Sequence, residues 1–377
     1  MTTKKLRIVH CFRSPVGGIF RHVRDLTEAQ VAAGHSVGIV CDSTTGGDFE
    51  EALFDTLRPL LALGVSRTPM QRHVGLGDIA SAWRTLKIIK ELQPDVLHGH
   101  GAKGGVYARV FGSLLRVSRS RVARVYSAHG GSLHYDEKTA TGKFFFALER
   151  LMERVTDHLL FVSDYERRVF LRKIGEPKAS NSLIHNGLRA GEFEPVGTKP
   201  DAADFLYIGM MRDLKGPDIF IDAIAEAGKL LGRPVSAVLV GDGEDKPRYQ
   251  ALAERLGNSA RTIFLPSTPA REAFTLAEVV VVPSRAEAMP YIVLEALAAG
   301  KPMIATAVGG IPEIFDQNPS ILVRPDAGEI AARMVDAIEN PQAFRAKMPS
   351  ADMLRSRFGA DVMAAGVERA YFAALAR

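Results

Sequence analysis

Two glutamates, Glu287 and Glu295, stand in Val280-Val-Val-Pro-Ser-Arg-Ala-Glu-Ala-Met-Pro-Tyr-Ile-Val-Leu-Glu295, on either side of a proline that suits the first turn of a helix. The run Val279–Val282 is β-branched throughout and ends at Pro283, which reads as a buried parallel strand opening into a loop. Tyr291 to Ala299 favours helix and Gly300 stops it. Glu287 then lies just before a helix N-terminus, and Glu295 lies one to two turns inside. Free N–H groups at such an end bind phosphate, and a carboxylate a turn or two away accepts hydrogen bonds from ribose hydroxyls. Taken alone, the pair reads at least as well as two solvated charges favoured by the helix dipole. The rest of the chain tips the balance toward a nucleotide-sugar site.

Arg212 and Lys215 are three apart in Tyr207-Ile-Gly-Met-Met-Arg-Asp-Leu-Lys-Gly-Pro217, in the loop after another apolar run. There they can clamp a diphosphate, the arginine bidentately and the lysine as a point charge. Gly241 and Gly243 in Val238-Leu-Val-Gly-Asp-Gly-Glu244 let backbone approach a base or ribose. Asp218 and Asp222 belong to an exposed helix face, and Asp242 and Glu244 to loop or cap. Nearer the start, Gly17-Gly18 separates a strand from a helix, but no G-x-G-x-x-G follows, which speaks against a nicotinamide site. His129, in Tyr126-Ser-Ala-His-Gly-Gly131, ends a strand and suits a hydrogen bond to substrate. His98, His100, His129 and His134 carry no zinc spacing, and no metal is expected. There is no nucleophile elbow and no Walker A loop.

These residues need a scaffold that brings strand ends together. The chain has 377 residues, 46% hydrophobic and 24% charged, enough for two domains with separate cores. A net charge of +5 without interleaved aromatic and basic motifs does not suggest nucleic acid. Cys11 and Cys41 follow strand-like runs and read as reduced structural thiols at neighbouring strand ends. No apolar segment reaches membrane-spanning length, and no signal-peptide core precedes His10, Arg13 and Pro15. The expectation is a cytoplasmic protein, or one held peripherally on the cytoplasmic face of the inner membrane.

Strands are predicted near 6–10, 36–40, 96–98, 121–127, 158–162 and 182–185, alternating with helices over 17–33, 78–92, 103–115 and 143–156. A polar stretch from Gly191 to Pro200 reads as linker. A second βα series follows, with strands near 205–208, 235–240, 262–265, 279–282, 303–305 and 320–323. This is an α/β chain of two doubly wound Rossmann-like domains facing each other across a cleft, with ligands beyond the carboxyl ends of the strands. The first spans 1–193, completed by a C-terminal helix over 359–377, and the second spans 194–358.

Read together, the motifs resemble the retaining nucleotide-sugar glycosyltransferases of family 4, which have the GT-B fold. The resemblance runs through Gly17-Gly18 and Arg21-His22-Val23, Ala128-His129-Gly130, Val162-Ser163-Asp164-Tyr165-Glu166, Ile184-His185-Asn186-Gly187-Leu188, and Gly209 to Gly216. It continues in Val240-Gly241-Asp242-Gly243, Glu287 to Glu295 and Val308-Gly309-Gly310-Ile311-Pro312-Glu313. It implies that Arg212 and Lys215 hold the donor diphosphate, Glu287 the sugar hydroxyls and Glu295 the ribose. Amides around Met289, Pro290, Tyr291 and Ile292 would meet sugar and phosphate, with Gly17, Gly18, Gly209 and Gly241 lining the donor. His129 would contact the transferred sugar from the opposite domain. The resemblance further implies a UDP- or GDP-sugar co-substrate with no other cofactor, no metal, and retained anomeric configuration. The sequence departs where the family often has Glu-Gly. Here Ala288 disfavours positive φ, and Pro290 offers no N–H.

His98-Gly-His-Gly-Ala-Lys-Gly-Gly105 is similar to members that build bacterial surface polysaccharide or lipopolysaccharide on lipid carriers, which places His100 and Lys103 on the acceptor side. Arg116, Arg119, Arg121, Arg124, Lys143-Phe-Phe-Phe146, Arg167-Arg168 and Arg172-Lys173 could rest on anionic lipid, or be a solvated face with a partly buried aromatic run. The competing readings are a sugar-nucleotide epimerase of similar architecture, which needs no acceptor, and a nucleotide-sugar-binding protein without turnover.

Overall fold

The computed structural model describes residues 4–70, 76–117, 122–257, 261–316 and 318–376. Its strands form two parallel sheets. In the first, β1 (Arg7–Phe12), β2 (Ser36–Asp42), β3 (Val65–Thr68), β4 (Val96–His100), β5 (Ala123–Ser127), β6 (His158–Phe161) and β7 (Ser180–Leu183) run in the order β3-β2-β1-β4-β5-β6-β7. In the second, β8 (Ala203–Ile208), β9 (Ala237–Val240), β10 (Thr262–Leu265), β11 (Ala277–Val282) and β12 (Met303–Ala305) run in the order β10-β9-β8-β11-β12. The order of winding reverses between β1 and β4 in one sheet and between β8 and β11 in the other. That reversal opens a crevice beyond the strand ends.

The central strands are apolar because helices cover both faces. Val279, Val280, Val281 and Val282 are all buried, and β11 pairs with β8 through Val280 opposite Leu206 and Val281 opposite Tyr207. In the first sheet β4 is buried along its length although it carries His98 and His100. Helix Gly101–Val117 lies unusually close to β1. A Cβ at Gly104 would stand 2.1 Å from the Cys11 carbonyl oxygen, so the glycines after Lys103 are a packing requirement. Cys11 and Cys41 are buried free thiols inside β1 and β2, and burial pushes both up to about 12.

The chain divides into one unit of Met1–Gly187 with Ala360–Arg377 and another of Leu188–Gly359. The boundary therefore falls before the predicted 193/194. The polar stretch expected to be linker is packed into the second unit: Leu188 and Phe193 are buried, Leu188 N–H donates to the Phe358 carbonyl, and Val196 N–H to that of Ala299. Helix Ala360–Leu375 returns to the first unit, where Met363, Val367, Tyr371 and Ala374 pack with Leu6, Ile8, Val96 and Val125.

Two further expectations are corrected. Residues 320–323 form no strand. Pro319–Ile321 is a 3-10 turn, and a single bridge joins Val323 to Thr306. The helix predicted over 143–156 is Ala140–Met152 followed by a 3-10 turn at Glu153–Val155. Strand β3 went unpredicted because Ser66 and Arg67 break any apolar run.

Candidate active site

In the second unit, the switch point between β8 and β11 gathers the expected cation and carboxylate. The 3-10 turn Asp213–Lys215 follows β8, and the loop 283–290 follows β11. Gly216 has φ +71°, and a Cβ there would lie 2.3 Å from the Pro283 carbonyl oxygen, so the two loops touch backbone to backbone. Arg285 N–H donates to the Leu214 carbonyl at 2.9 Å, and its guanidinium spans the Asp213 carbonyl and the Asp218 carboxylate. Asp218 is thus an anchor for this junction rather than only an exposed helix charge.

That junction delivers Lys215 Nζ to both oxygens of Glu287, at 2.6 and 2.8 Å. Ser284 Oγ donates to the same carboxylate at 2.7 Å. Glu287 is 8% exposed, so its charge is held largely away from water by one cation and one hydroxyl. Gly309 has φ +61°, and a Cβ there would fall 1.7 Å from the Glu287 carbonyl oxygen; the glycine is what allows the segment after β12 to close against the Glu287 backbone. Gly309→Ala is expected to cost about 3 kcal/mol by strain and backbone displacement. Urea denaturation checks it, and an unchanged midpoint would contradict the close approach.

Arg212 is exposed, and its side chain makes no hydrogen bond or ion pair with the described residues. Gly209 and Gly241 are brought together. Gly241 has φ +146°, and a Cβ on it would be 1.9 Å from the Gly209 carbonyl oxygen, while Gly209 N–H donates to the Val240 carbonyl. Met289, Pro290 and Tyr291 are buried, and Ile292 and Glu295 are half-buried. Helix Tyr291–Ala298 begins after Pro290, which is its N-cap residue at φ −76° and ψ 123° rather than a residue of its first turn. The amides of the helix's first turn are therefore those from Tyr291 onward. Ala288 does not adopt positive φ.

In the first unit, the carboxyl ends of β1, β4 and β5 lie in register, with Phe12 opposite His100 and His100 opposite Ser127. Gly17 and Gly18 follow β1 and are exposed at the start of helix Gly17–Ala32, and the space around a Cβ on Gly17 is open. Lys103 is in the first turn of the helix after β4. His129 follows β5 at φ +48°, a left-handed conformation costly for a residue with Cβ. Glu166 holds it there by accepting from the Gly130 N–H at 2.5 Å and the Val162 N–H at 3.0 Å. Ser163 caps the following helix from the Glu166 N–H, so the Ser163-x-x-Glu166 spacing was the available signal for a residue given no role above.

The histidines converge beyond what spacing suggested. His10 and His22, from β1 and the helix after it, join His98, His100 and His129. His10 Nδ1 is 2.9 Å from His100 Nε2, and His100 Nδ1 is 3.0 Å from His129 Nε2. Ring nitrogens of His10, His98 and His100, and of His22, His100 and His129, lie within 4.8 Å of one another. Both nitrogens of His10, His98 and His100 are already bonded to other side chains, the arrangement of a hydrogen-bonded chain. Burial lowers His10 and His22 to about 4 and holds the other three well below the usual imidazole range. His134 is in a separate 3-10 turn, Gly131–His134.

The cationic surface expected to meet lipid is smaller than predicted. Arg116 and Arg124 both bond Asp157, and Arg167 and Arg168 both bond Asp164. Lys173 Nζ donates to the Leu133 and Tyr135 carbonyls, and Phe146 is buried. Arg119 and Arg121 lie outside the described residues. Lys143, Arg172 and Phe144, the last 64% exposed, remain on the surface.

Two doubly wound parallel units in one chain are the architecture of the GT-B glycosyltransferases. Residues 16–190 match the family Glycosyltransferase Family 4, and residues 189–352 match Glycosyl transferases group 1. The D-inositol 3-phosphate glycosyltransferase of Segniliparus rotundus is 30% identical over 209 residues, 53% of this chain and 46% of that protein, so the alignment spans about half the relative. The Anabaena Alr3699/HepE structure in complex with UDP-glucose superimposes with a TM-score of 0.78 at 18% identity, covering 96% of this chain and 98% of that one. WaaG, a glycosyltransferase involved in lipopolysaccharide biosynthesis, superimposes with a TM-score of 0.70 at 18% identity, covering 97% and 98%. The chain belongs to glycosyltransferase family 4 and has the GT-B fold.

Proposed function

We propose that this glycosyltransferase moves a hexose from a UDP- or GDP-sugar to a hydroxyl of a glycan, with retained anomeric configuration and without a metal ion. The observation that carries the reading is the Lys215–Glu287 pair at the switch point of the second sheet, next to the head of helix Tyr291–Ala298. Arg212 and Lys215 take the diphosphate, and Lys215 is then shared between phosphate and Glu287. Glu295 receives ribose hydroxyls, and the amides from Tyr291 onward face phosphate and sugar. In the reaction, the bond from the anomeric carbon to the phosphate oxygen breaks with its electron pair leaving on the nucleotide. The acceptor oxygen bonds to that carbon on the same face, and its proton passes to the departing phosphate. Fixed cations and amides stabilise the charge that develops. Glu287 accepts from Lys215 and Ser284 at once; in this reading it positions sugar and cation, with no covalent intermediate.

The UDP-glucose complex of HepE and the lipopolysaccharide role of WaaG support a nucleotide-sugar donor and a lipid-linked or lipopolysaccharide-core acceptor. The test is transfer from UDP- and GDP-hexoses to such acceptors in EDTA, with the new linkage read by NMR. An inverted linkage, or transfer that needs a divalent metal, would contradict the chemistry. A converted sugar nucleotide formed without acceptor would favour an epimerase.

The same reading has the first unit rest on the anionic cytoplasmic leaflet through Lys143, Phe144 and Arg172. No helix among the described residues is long and apolar enough to cross a membrane. Flotation is expected to recover more protein with anionic than with neutral vesicles, and less with Phe144→Ser. Equal recovery with both would remove the membrane from the account.

A further inference from the structure

A single hydrogen-bonded chain runs through the core of the first unit, and its order fixes which ring nitrogens carry protons. From one end, Ser127 Oγ is 2.8 Å from His98 Nε2, and His98 Nδ1 is 2.7 Å from Tyr371 Oη. Gln30 Nε2 donates to Tyr371 Oη at 3.2 Å, and Gln30 Oε1 lies 2.9 Å from His10 Nε2. His10 Nδ1 then meets His100 Nε2 at 2.9 Å, and His100 Nδ1 meets His129 Nε2 at 3.0 Å. His10, Gln30, His98, His100 and Ser127 are buried, as is Tyr371, whereas His129, at the end of the chain, is half-buried.

A neutral imidazole has one N–H and one lone pair, so each ring passes the polarity of its neighbour along. Gln30 offers its carbonyl oxygen to His10, which makes His10 Nε2 the protonated nitrogen and Nδ1 an acceptor. His100 must then donate from Nε2 and accept at Nδ1, and His129 must donate from Nε2. The second arm agrees. Gln30 Nε2 donates to Tyr371, whose hydroxyl donates to His98 Nδ1, leaving His98 Nε2–H to donate to Ser127. Reversing the Gln30 amide would reverse every bond of both arms together. His129 Nδ1 makes no hydrogen bond with the described residues.

We propose that Gln30, three hydrogen bonds from His129, is a positioning residue that fixes His129 as the Nε2–H tautomer, so that its Nδ1 accepts a hydrogen bond from a hydroxyl of the transferred sugar. The sugar half of this statement rests on the proposed function; the tautomer half does not. A lone pair at Nδ1 recognises a hydroxyl and rejects an acceptor such as a carboxylate or phosphate oxygen. It thereby gives the site a preference that neither Gln30, His10 nor His100 could supply by touching the ligand.

The test is nitrogen NMR of the histidine side chains in the intact protein, with His129 assigned through His129→Asn. The wild type is expected to show His129 protonated at Nε2 and bare at Nδ1. Gln30→Met should yield both tautomers at His129 and raise the donor KM by about tenfold, the scale of one hydrogen bond. Tyr371→Phe, which leaves the Gln30 amide N–H without its acceptor, should mix the tautomers in the same direction if Gln30→Met does not fold. A wild-type His129 protonated at Nδ1, or one unmixed tautomer in both variants, overturns the proposal. Mixed tautomers in a protein that binds no sugar nucleotide would support the relay and count against the proposed function instead.

Discussion

Glu287→Gln is expected to lower kcat/KM by about a hundredfold to a thousandfold, near 3–4 kcal/mol of transition-state stabilisation, while the protein stays folded. The amide keeps the shape and can still accept from Ser284, but it no longer balances Lys215. The freed lysine side chain is 26% exposed and can turn to water, which limits the structural cost. Lys215→Ala should behave differently. It leaves a carboxylate that is 8% exposed with Ser284 as its remaining bonded partner in the pair, and an uncompensated buried charge destabilises strongly. Its loss of turnover should therefore come with a lower melting temperature, whereas Arg212→Ala, exposed and unbonded, should lose turnover with stability intact. Near-wild-type kcat/KM in Glu287→Gln would remove the pair from the chemistry.

Acid should unfold the first unit well before carboxylates dominate. The folded protein keeps His10 and His22 neutral down to about pH 4, because both are buried. An unfolded chain protonates histidine near 6.5. Between those values the unfolded state binds more protons, so stability falls as pH drops from about 6.5 to about 4 and gains nothing further above that window. At pH 5 each such ring costs about 2 kcal/mol. His98, His100 and His129 are held well below the usual imidazole range by the same burial, so they add to the loss in the same direction, and even the two rings alone take about 4 kcal/mol from a stability that is typically about 5–15 kcal/mol. Denaturation midpoints at pH 7.5, 6 and 5 should fall steeply across the series. A flat profile from pH 7 to pH 5 would contradict a neutral, buried histidine chain.

Much of the scaffold was legible because parallel strands buried on both faces must be apolar runs. Val279–Val282 and Val238–Val240 announced themselves in that way, and the glycines and prolines after them marked the ends where ligands gather. Edge positions were not legible: Val65–Thr68 lies at a sheet margin and needs no apolar run, and residues 320–323 had the composition of a strand but a proline at the start of a turn. The Arg212, Lys215 and Glu287 candidates came from charge at strand ends. What spacing could not give was their arrangement, because Ser284 and Gly309 act on Glu287 through loops that only the register of β8, β11 and β12 brings together. The histidine chain is the same case. His10 is opposite His98 solely because β1 pairs with β4, and no local motif records that register.

The most direct test of the central claim is thermal stabilisation by a panel of nucleoside diphosphates and their sugars in EDTA, comparing wild type with Lys215→Ala, each against its own unliganded melting temperature. The account predicts a rise with one diphosphate and its sugar in the wild type, and none in the variant. A rise that requires a divalent metal, a rise undiminished in Lys215→Ala, or no rise with any member would contradict a diphosphate held by Lys215 at this switch point.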